Sequence, residues 1–406
     1  MKTFILLFHF FCFLSFASAN VLKWEELTEL PAPEGLDENI GVAGPFVGVH
    51  NDALIVAGGA NFPDKPLWET DKVWHDRIYV LSKQSDGNYV WQNGGKLDKP
   101  MAYGSSVSTS NGVLCIGGDD SKKVYTDVFM LSWNARDKKL SKKEMPSLPE
   151  PVAYGSAAIH NDTVYLVAGQ SGKKLGTATN KIWTLNLSEA ENSKWKPLPD
   201  VPWKSRAFLQ VATQHNGYDD CIYVIGGRQQ DGDRVNFFSD VWEYNLNTKE
   251  WKERKRSPSP IMAGTAIGFS QSHVAVLGGA DGSLWGKEDD LRDDHPGFPK
   301  KTFLYHTITN TWIEAGESPA NHVTTVPVEW NNSLIIATGE IRPRVRSATI
   351  WKVTPTPIQK GFGLINYIVL IVYLLIMVGI GFYFAGRNKG TDDFFRGGKR
   401  MVWWAT

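Results

Sequence analysis

Short apolar runs recur along the chain at nearly regular intervals, and each one ends in a small residue followed by glycine. Polar stretches rich in glycine, asparagine and aspartate separate the runs, as is typical of strands joined by tight turns. The last glycines of the six runs lie between 51 and 60 residues apart, a period expected of propeller blades. The runs end at Ala57-Gly58-Gly59, Ile116-Gly117-Gly118, Ala168-Gly169, Ile225-Gly226-Gly227, Leu277-Gly278-Gly279 and Thr338-Gly339.

The third copy shows the order of strands within one unit. Its four predicted strands are Tyr154–Ile159, Thr163–Val167, Lys181–Leu185 and Trp195–Leu198. The fourth copy repeats this order through Trp242 and Trp251, and the fifth through Trp312. A double glycine after the second strand, an aromatic residue in the third and a tryptophan opening the fourth resemble kelch repeats.

The sixth copy ends after its third strand, Ser347–Val353, without a tryptophan-opened fourth strand before Pro355. The segment Val21–Leu27, ahead of the first double glycine, has the form of that fourth strand. Pairing it with the last blade would close the ring and remove an exposed sheet edge. We therefore predict an all-β fold, a six-bladed kelch-type β-propeller closed by the N-terminal strand, with a C-terminal transmembrane helix.

Both ends of the chain carry patterns that predict its location. A basic start, an apolar run and Ala17-Ser18-Ala19 have the form of a secretory signal. The segment Tyr367–Ala385 has no charged residue and is long enough to cross a bilayer, with a buried soluble helix as the alternative. Basic residues follow it, which places that side in the cytoplasm. We expect an exported propeller, periplasmic or extracellular, anchored in the inner (cytoplasmic) membrane.

The predicted organisation has five segments: a signal peptide at 1–19, the propeller at 20–355, a linker at 356–365, the transmembrane helix at 366–386 and a cytoplasmic part at 387–406. In the last part, Asp392-Asp393, Phe394-Phe395 and Trp403-Trp404-Ala405 resemble the start of a sodium:solute symporter. That family needs many more helices, so transport by this chain alone is not expected.

Charge and cysteine content exclude several classes of function. Lys plus Arg and Asp plus Glu are equal at 43 each, so no net field draws the chain to nucleic acid. Cys115 and Cys221 each lie in an apolar run that ends in Gly-Gly, so we interpret them as buried strand thiols. We predict neither a disulfide nor a metal site from them.

Antiparallel pairing of the first two strands of a blade places two sets of residues at one mouth of the channel, the default ligand site. The set after the glycines comprises Asn61, Asp119, Gln170, Arg228, Asp281 and Glu340. The set at the start of the first strands comprises Asn39, Tyr103, Tyr154, Arg206, Met262 and His322.

Glu340 differs from the rest of its set because Arg342, Arg344 and Arg346 follow it at alternating positions. A solvated charge run is the alternative interpretation. Opening a hemiketal ring requires removal of a proton from the anomeric hydroxyl and delivery of one to the ring oxygen, which one carboxylate can do. An arginine can recognise a substrate carboxylate in a bidentate manner. Glu340 and Arg346 fit these two roles.

The spacing Gly339-Glu340-x-x-Pro343-x-x-Arg346, with the unit Gly41–Gly59 and Ala315–Pro319, resembles the bacterial N-acetylneuraminate mutarotases, or sialic acid epimerases. This resemblance implies a cofactor-independent isomerase that acts on sialic acid, with Glu340 and Arg346 as catalytic pair. The unit that is late in the family's chain comes first here, so the sequence resembles a cyclically permuted branch. The symporter-like end then implies a sialic acid transporter as partner.

Further candidates for substrate binding are Arg206, Asn61, Tyr103, Tyr154 and Arg344. For Arg206 an interblade ion pair is an equal alternative, and packing is the alternative for Asn61 and both tyrosines. One insertion holds His295 and acids at 288–290, 293 and 294, but its spacing matches neither a tetrahedral zinc site nor an EF-hand. We interpret it as a solvated loop and predict no metal.

Three functions compete on this sequence. The first is a mutarotase that interconverts sialic acid anomers. The second is a non-catalytic kelch module that binds a glycan or a protein, because propellers host many functions. The third, a copper oxidase of propeller type, lacks an evident set of His and Tyr ligands with a Cys that could crosslink.

Overall fold

The computed structural model describes residues 21–199, 201–356 and 362–385. It divides into two compact units, the first ending at Thr356 and the second starting at Pro357. Four-stranded antiparallel sheets make up the first unit and repeat six times, as the spacing of the glycines predicts. The predicted signal peptide, residues 357–361 of the predicted linker and the predicted cytoplasmic part lie outside the described residues.

The first two blades follow strand β1, which joins the last blade. In chain order the strands are β1 (Leu22–Glu29), β2 (Phe46–His50), β3 (Ala53–Ala57), β4 (Ala60–Asn61), β5 (Val73–Trp74), β6 (Arg77–Lys83), β7 (Tyr89–Lys96), β8 (Ser105–Thr109), β9 (Gly112–Ile116), β10 (Val128–Asn134) and β11 (Lys139–Glu144). Blade 1 consists of β2, β3, β6 and β7, and blade 2 of β8 to β11. The small pair β4 and β5 extends blade 1 beyond its double glycine.

Blades 3 and 4 have the same order of strands. Their strands are β12 (Ser156–His160), β13 (Thr163–Gln170), β14 (Ala178–Asn186), β15 (Lys196–Leu198), β16 (Gln210–His215), β17 (Asp220–Ile225), β18 (Arg228–Asp231), β19 (Arg234–Phe237), β20 (Val241–Asn245) and β21 (Trp251–Arg254). Blade 3 consists of β12 to β15, and blade 4 of β16, β17, β20 and β21. The hairpin of β18 and β19 projects from blade 4 immediately after its double glycine.

The last two blades complete the ring. Their elements are β22 (Met262–Phe269), β23 (His273–Ala280), the short helix α1 (Glu288–Leu291), β24 (Lys301–His306), β25 (Thr311–Glu317), β26 (Pro327–Trp330), β27 (Ser333–Arg342) and β28 (Val345–Pro355). Blade 5 consists of β22 to β25, and blade 6 of β26, β27, β28 and β1. Leu22 pairs with Pro355 and Glu29 with Thr349, which confirms closure by the N-terminal strand.

The hydrophobic core consists of six layers, one between each pair of neighbouring blades. Between blades 3 and 4, for example, the Trp203 ring packs edge-on against Trp251 at 4.6 Å. The double glycines permit this close packing. A Cβ on Gly117, which has a φ of +63°, would lie 2.1 Å from the Val152 carbonyl of the next blade. Only glycine fits such a position.

A closed ring of backbone hydrogen bonds surrounds the channel just before the first strands. Six residues, one from each blade, have φ between +52° and +66°, a conformation that five of them adopt without being glycine. Each N–H donates to the carbonyl of the preceding member at 2.6 to 2.8 Å. This backbone ring consists of Gly44, Tyr103, Tyr154, Phe208, Ala263 and Thr324. Strained backbone of this kind persists only where the surrounding structure holds it, often near functional sites.

On one side of the backbone ring the channel widens into a cavity of about 390 Å³, lined by the first strands of the blades. Its wall is rich in small and hydroxyl-bearing residues such as Ser106, Ser108 and Thr213. The other side carries the residues that follow the glycines, including Glu340. We call this second side the mouth.

The second unit contains helix α2 (Leu364–Ala385). The segment Leu364–Tyr383 is long and apolar enough to cross a membrane. Its residues are exposed, whereas the helical core of a soluble protein would be buried. The structure thus contains a candidate membrane span where the sequence predicts one.

Candidate functional site

A buried ion pair joins the two residues that the sequence assigns to catalysis. Glu340 and Arg346 are opposite one another on β27 and β28, whose antiparallel register brings the two side chains together. Arg346 Nη1 donates to Glu340 Oε1 at 2.9 Å. The Arg346 side chain is only 2% exposed, whereas that of Glu340 is 18% exposed. The carboxylate therefore reaches solvent at the mouth while the guanidinium supports it from below.

The two oxygens of Glu340 are used differently. Oε1 accepts from Arg346 and also from the backbone N–H of Arg344 at 3.0 Å. No hydrogen bond from a described residue reaches Oε2. One oxygen fixes the orientation of the carboxylate, and the other is available to a ligand.

Arg346 has several neighbours besides Glu340. Its Nε donates to the Ala60 carbonyl at 3.4 Å, and its guanidinium lies 5.0 Å from the Phe62 ring centre. Burial lowers the pKa of Arg346, but the charge of Glu340 and a hydrogen bond to Tyr103 raise it above its ordinary value overall. The side chain is thus a permanent cation within the blade.

The two other arginines of the cluster hold loops at the mouth. Arg344 Nη1 donates to the carbonyls of Leu67 and Thr70 at 3.1 and 3.2 Å. Arg342 forms an ion pair with Asp293 at 3.2 Å, on the insertion of blade 5. Since the Trp68 indole also donates to Asp293 at 3.4 Å, insertions from blades 1 and 5 meet beside the hairpin that carries Glu340. Specific contacts therefore hold the arginines of this cluster, in contrast to the alternative interpretation of a solvated charge run.

Aromatic rings line the mouth next to this cluster. Tyr103 stacks on Tyr154 with a centroid distance of 4.8 Å, and Tyr154 packs on Phe208 at 4.6 Å. Tyr154 also donates to the fully buried carboxylate of Asp119 at 2.7 Å. Trp74 donates to the other oxygen of Asp119 at 2.9 Å. The predicted mouth residues Tyr103 and Tyr154 therefore lie in one continuous aromatic wall.

Lysines cover parts of this wall. Lys72 Nζ lies 4.9 Å from the Tyr103 ring centre, and Lys173 Nζ lies 4.8 Å from that of Trp74. Lys173 also pairs with Asp119 at 2.5 Å. The mouth thus combines aromatic faces, which suit the C–H faces of a sugar, with positive charge, which suits an anion.

Two of the predicted binding residues are engaged elsewhere. Arg206 forms a bidentate pair with Asp240 at 2.6 and 3.0 Å, and its side chain is 2% exposed. Its backbone N–H donates to Thr179 of blade 3, so the residue links two blades, as the ion-pair alternative expects. Asn61 is buried, donates to the Gly41 carbonyl at 2.9 Å and contacts His75 at 2.7 Å. Neither residue joins Glu340 and Arg346 at the mouth.

The register of the chain explains this difference. Isolated bridges join Ala43 to Ala60, Ala102 to Asp119, Ala153 to Gln170, Ala207 to Arg228 and Val323 to Glu340. The residue that follows the first member of each bridge belongs to the backbone ring. In blade 4 that residue is Phe208, so the prediction of Arg206 is two positions out of register. Asn61 is one position beyond the bridged residue of blade 1. Tyr103 and Tyr154, by contrast, occupy ring positions.

Arg228 is the mouth residue that the sequence analysis placed in the right set but did not select. Its guanidinium packs against the Phe208 and Trp285 rings, with Cζ 4.1 and 4.3 Å from their centres. The signal available in the sequence was its position after Gly226-Gly227, equivalent to that of Glu340 after Gly339.

The insertion with His295 is packed and not simply solvated. His295 is buried, and its Nδ1 accepts from the Gly297 N–H at 3.0 Å. Burial lowers the pKa of His295, which keeps it neutral at pH 7. Within the described part of the chain, no group of three or more His, Cys, Asp or Glu side chains could hold a metal ion.

Comparison with known proteins places this chain in a family. The family model for N-acetylneuraminate epimerase matches residues 14–141 and 145–295. The N-acetylneuraminate epimerase of Vibrio cholerae is 38% identical over 122 residues, which is 27% of this chain and 30% of that protein. The enzyme of Haemophilus influenzae is 36% identical over 130 residues, 29% of this chain and 33% of that protein. These curated relatives are therefore matched over about a third of their length.

A solved structure described as that of YjhT superimposes with a TM-score of 0.60 and 18% identity, over 82% of this chain and 99% of that one. At this identity the likeness concerns the fold. It supports the six-bladed propeller. The family assignment rests on the match to the family model. The chain belongs to the N-acetylneuraminate epimerase family.

Proposed function

We propose that the propeller is an N-acetylneuraminate mutarotase, which interconverts the α and β anomers of sialic acid by opening and closing the sugar ring. The observation that carries the proposal is Glu340: a carboxylate held through one oxygen by Arg346 and the Arg344 N–H, with its second oxygen unbonded at the mouth. Family membership supports the choice of sugar.

In the proposed reaction Oε2 of Glu340 removes the proton from the anomeric hydroxyl. The C2 to ring-oxygen bond then breaks, and the ring oxygen takes up a proton, so that the open form is a ketone. Rotation about the C2–C3 bond presents the other face of the ketone to the hydroxyl that closes the ring. Ring closure reverses the transfers and gives the other anomer. No net oxidation occurs, and a single carboxylate that alternates as base and acid suffices.

Arg346 supports this cycle by holding Glu340. Since its side chain is 2% exposed, the structure favours a positioning role over direct contact with the sugar. Tyr103, Tyr154 and Arg344 form the surrounding wall and hold the neighbouring loop. We keep them as proposed substrate-binding or supporting residues, whereas Arg206 and Asn61 are engaged within the fold.

We further propose that the chain is exported and anchored by helix α2, with its propeller outside the cytoplasm. The support is the signal-like start of the sequence and the apolar segment Leu364–Tyr383. On the same reasoning a mutarotase next to a sialic acid symporter would supply the anomer that is taken up. A cyclic permutation of the family's chain, with the seam closed by β1, fits the order of its motifs.

The first test is anomer exchange by the full chain in detergent micelles. Anomerically pure N-acetylneuraminate is dissolved with and without protein, and the approach to equilibrium is followed by proton NMR. We expect an exchange rate well above the uncatalysed one and proportional to protein concentration. A chain that binds the sugar, as seen by line broadening, but leaves the exchange rate unchanged would support the non-catalytic binding module instead.

A further inference from the structure

Three of the arginines near the mouth already have partners. Arg346 pairs with Glu340, and Arg342 pairs with Asp293. Arg344 donates to two backbone carbonyls. A substrate carboxylate would have to displace one of these contacts to gain a strong bond from these residues. Arg228 differs from all three.

Arg228 is the first residue of β18, and its backbone bridges Ala207 at 2.9 and 3.0 Å. This bridge lies next to Phe208 of the backbone ring, so the side chain starts at the edge of the channel. Two aromatic rings pack against the guanidinium, with the centres of Phe208 and Trp285 4.1 and 4.3 Å from its Cζ atom. The N–H groups lie in the plane of the guanidinium, and within the described residues none of them donates to an oxygen.

The hydrogen bonds of Arg228 are almost unused. Nη1 has a weak contact of 3.7 Å with the Met262 sulfur. Nε is buried and has no hydrogen-bond partner among the described residues. No carboxylate of the described chain lies within ion-pair distance of this guanidinium. Leaving a buried charge-bearing donor unsatisfied is costly, so such a group in a native fold requires an explanation.

The charges around Arg228 locate it at the same mouth as Glu340. Burial lowers the pKa of Arg228 to about 10, and Tyr154, Glu288 and Glu340 act in the opposite direction. The side chain therefore remains a cation at neutral pH, and the field of Glu340 reaches it. A group bound between the two side chains would contact the Glu340 carboxylate on one side and, on the other, a guanidinium without an ion-pair partner among the described residues.

We propose that Arg228 binds the carboxylate of the substrate through N–H groups that have no acceptor oxygen among the described residues, while Glu340 acts at the anomeric carbon. This inference rests on the proposed function and extends it, because it names the residue that selects the substrate class. In an N-acetylneuraminate molecule the carboxylate is attached to the anomeric carbon, so both contacts fall within one end of the sugar. The planar guanidinium matches a carboxylate in a bidentate manner, and the packed rings of Phe208 and Trp285 hold it in place.

The inference predicts that the site distinguishes an acid from its neutral ester. We would measure anomer exchange of N-acetylneuraminate and of its methyl ester with the full chain in detergent. Because a charged hydrogen bond contributes several times more than a neutral one, we expect wild-type kcat/KM for the acid to exceed that for the ester by about 10- to 100-fold. A wild-type chain with equal kcat/KM for both sugars overturns the inference, whatever the variants do.

Arg228→Met keeps an apolar side chain against the two rings and removes the charge. We expect its kcat/KM for the acid to fall to the level of the ester, mainly through KM, with the ester affected about threefold or less. Arg228→Lys keeps the charge without the fork, and should retain part of the preference. Arg256→Met is the matched control on the same blade, because Arg256 is exposed and pairs only with Glu253. It should keep the full preference.

The outcomes separate this inference from the proposed function. An active wild type whose preference for the acid survives in Arg228→Met contradicts the role of Arg228 and leaves Glu340 as the acid/base. A wild type that accelerates the exchange of neither sugar overturns both proposals. Should Arg228→Met fail to fold, as seen by near-UV circular dichroism, the Arg228→Lys variant and the wild-type ratio of acid to ester still decide.

Discussion

Two buried arginine–carboxylate pairs, one in blade 6 and one in blade 4, are alike in charge and in burial of the arginine. They differ in whether a carboxylate oxygen remains without a hydrogen bond from a described residue. Arg346 and Arg206 are each 2% exposed on their side chains. Asp240 in blade 4 has both oxygens occupied by Arg206, and Oδ2 also accepts from Trp242 at 2.9 Å. Glu340 in blade 6 has one oxygen occupied and one unbonded.

The comparison shows that burial of an ion pair does not reveal its role. Arg206 also donates to the Gly226 carbonyl at 3.0 Å, and its guanidinium lies 4.0 Å from the Phe238 ring centre. Groups of the scaffold therefore engage this guanidinium. Its pair with Asp240 joins parts of the scaffold. The Glu340 pair retains an acceptor at the mouth, and that unused acceptor makes it a candidate for chemistry.

The largest expected effect is on stability, in blade 4. Asp240→Asn leaves the buried Arg206 without a full opposite charge, which should lower the free energy of unfolding by about 3 kcal/mol or more. The rate of anomer exchange should stay at the wild-type level at temperatures where the variant is folded. Urea unfolding followed by tryptophan fluorescence measures the first quantity. A variant as stable as the wild type would show that the Arg206 pair is not structural.

The next effect depends on pH and concerns His322, a buried histidine that precedes the first strand of blade 6. Burial lowers the pKa of His322 to about 4, against an opposing effect of the Thr338 backbone. In the unfolded chain the pKa of His322 has its ordinary value of about 6.5, so between pH 6.5 and 4 the unfolded chain binds a proton that the folded chain does not. The free energy of unfolding therefore falls as the pH drops from 6.5 towards 4. Over this window His322 accounts for about 3 kcal/mol. It contributes nothing to pH dependence above pH 7.

His322→Gln removes this titration. Its free energy of unfolding should therefore vary less between pH 6.5 and 4 than that of the wild type, in urea titrations at several pH values. Asp240→Asn is the control, because it changes stability without removing a buried histidine. An unchanged pH dependence in His322→Gln would locate the acid sensitivity elsewhere.

A smaller effect is expected when the support of Glu340 is removed. Arg346→Met leaves the carboxylate held only by the Arg344 N–H, and we expect a loss of about 10- to 100-fold in the rate of anomer exchange. A rate within about threefold of the wild type would show that Arg346 does not position Glu340.

The smallest expected effect concerns Asp119, a further buried acid. It resembles Asp240, because Trp74, Tyr154 and Lys173 already donate to it. Tyr154→Phe removes one donor and keeps the aromatic wall, so the free energy of unfolding should fall by about 1 kcal/mol. Exchange should change by about threefold or less. A loss as large as that of Arg346→Met would show that the Tyr154 hydroxyl takes part in the reaction and does not only hold Asp119.

The sequence predicts the fold well because the signal is repeated six times. Apolar runs, double glycines and tryptophans at fixed offsets define the blades, and closure by β1 follows from the strand that the sixth copy lacks. Each motif alone is weak, but the glycines have a physical reason, as the 2.1 Å approach at Gly117 shows. The pairing of Glu340 with Arg346 follows in the same way from their positions in one hairpin.

The rest of the mouth depends on register and on loops, which periodicity does not fix. The backbone ring consists of residues with positive φ, among them tyrosine, phenylalanine, alanine and threonine. These residue types rarely adopt positive φ, so the sequence does not predict the ring. The prediction of Arg206 is two positions before the ring for this reason, whereas Arg228 lies at the correct register and differs from the rest of its set only in contacts that the sequence does not show. The repeated Ala102-Tyr103-Gly104-Ser105 and Ala153-Tyr154-Gly155-Ser156, aligned with Ala207-Phe208, would have given the right register.

The most direct measurement compares Glu340→Gln with Asp240→Asn, two variants that each turn a carboxylate into its amide. Anomer exchange of N-acetylneuraminate is followed by NMR at one temperature where the wild type and both variants are folded. The account predicts that Glu340→Gln loses about 100-fold or more, towards the uncatalysed rate, while Asp240→Asn matches the wild type. Glu340→Gln with wild-type exchange would contradict it, because the unbonded oxygen of Glu340 would then have no part in the reaction.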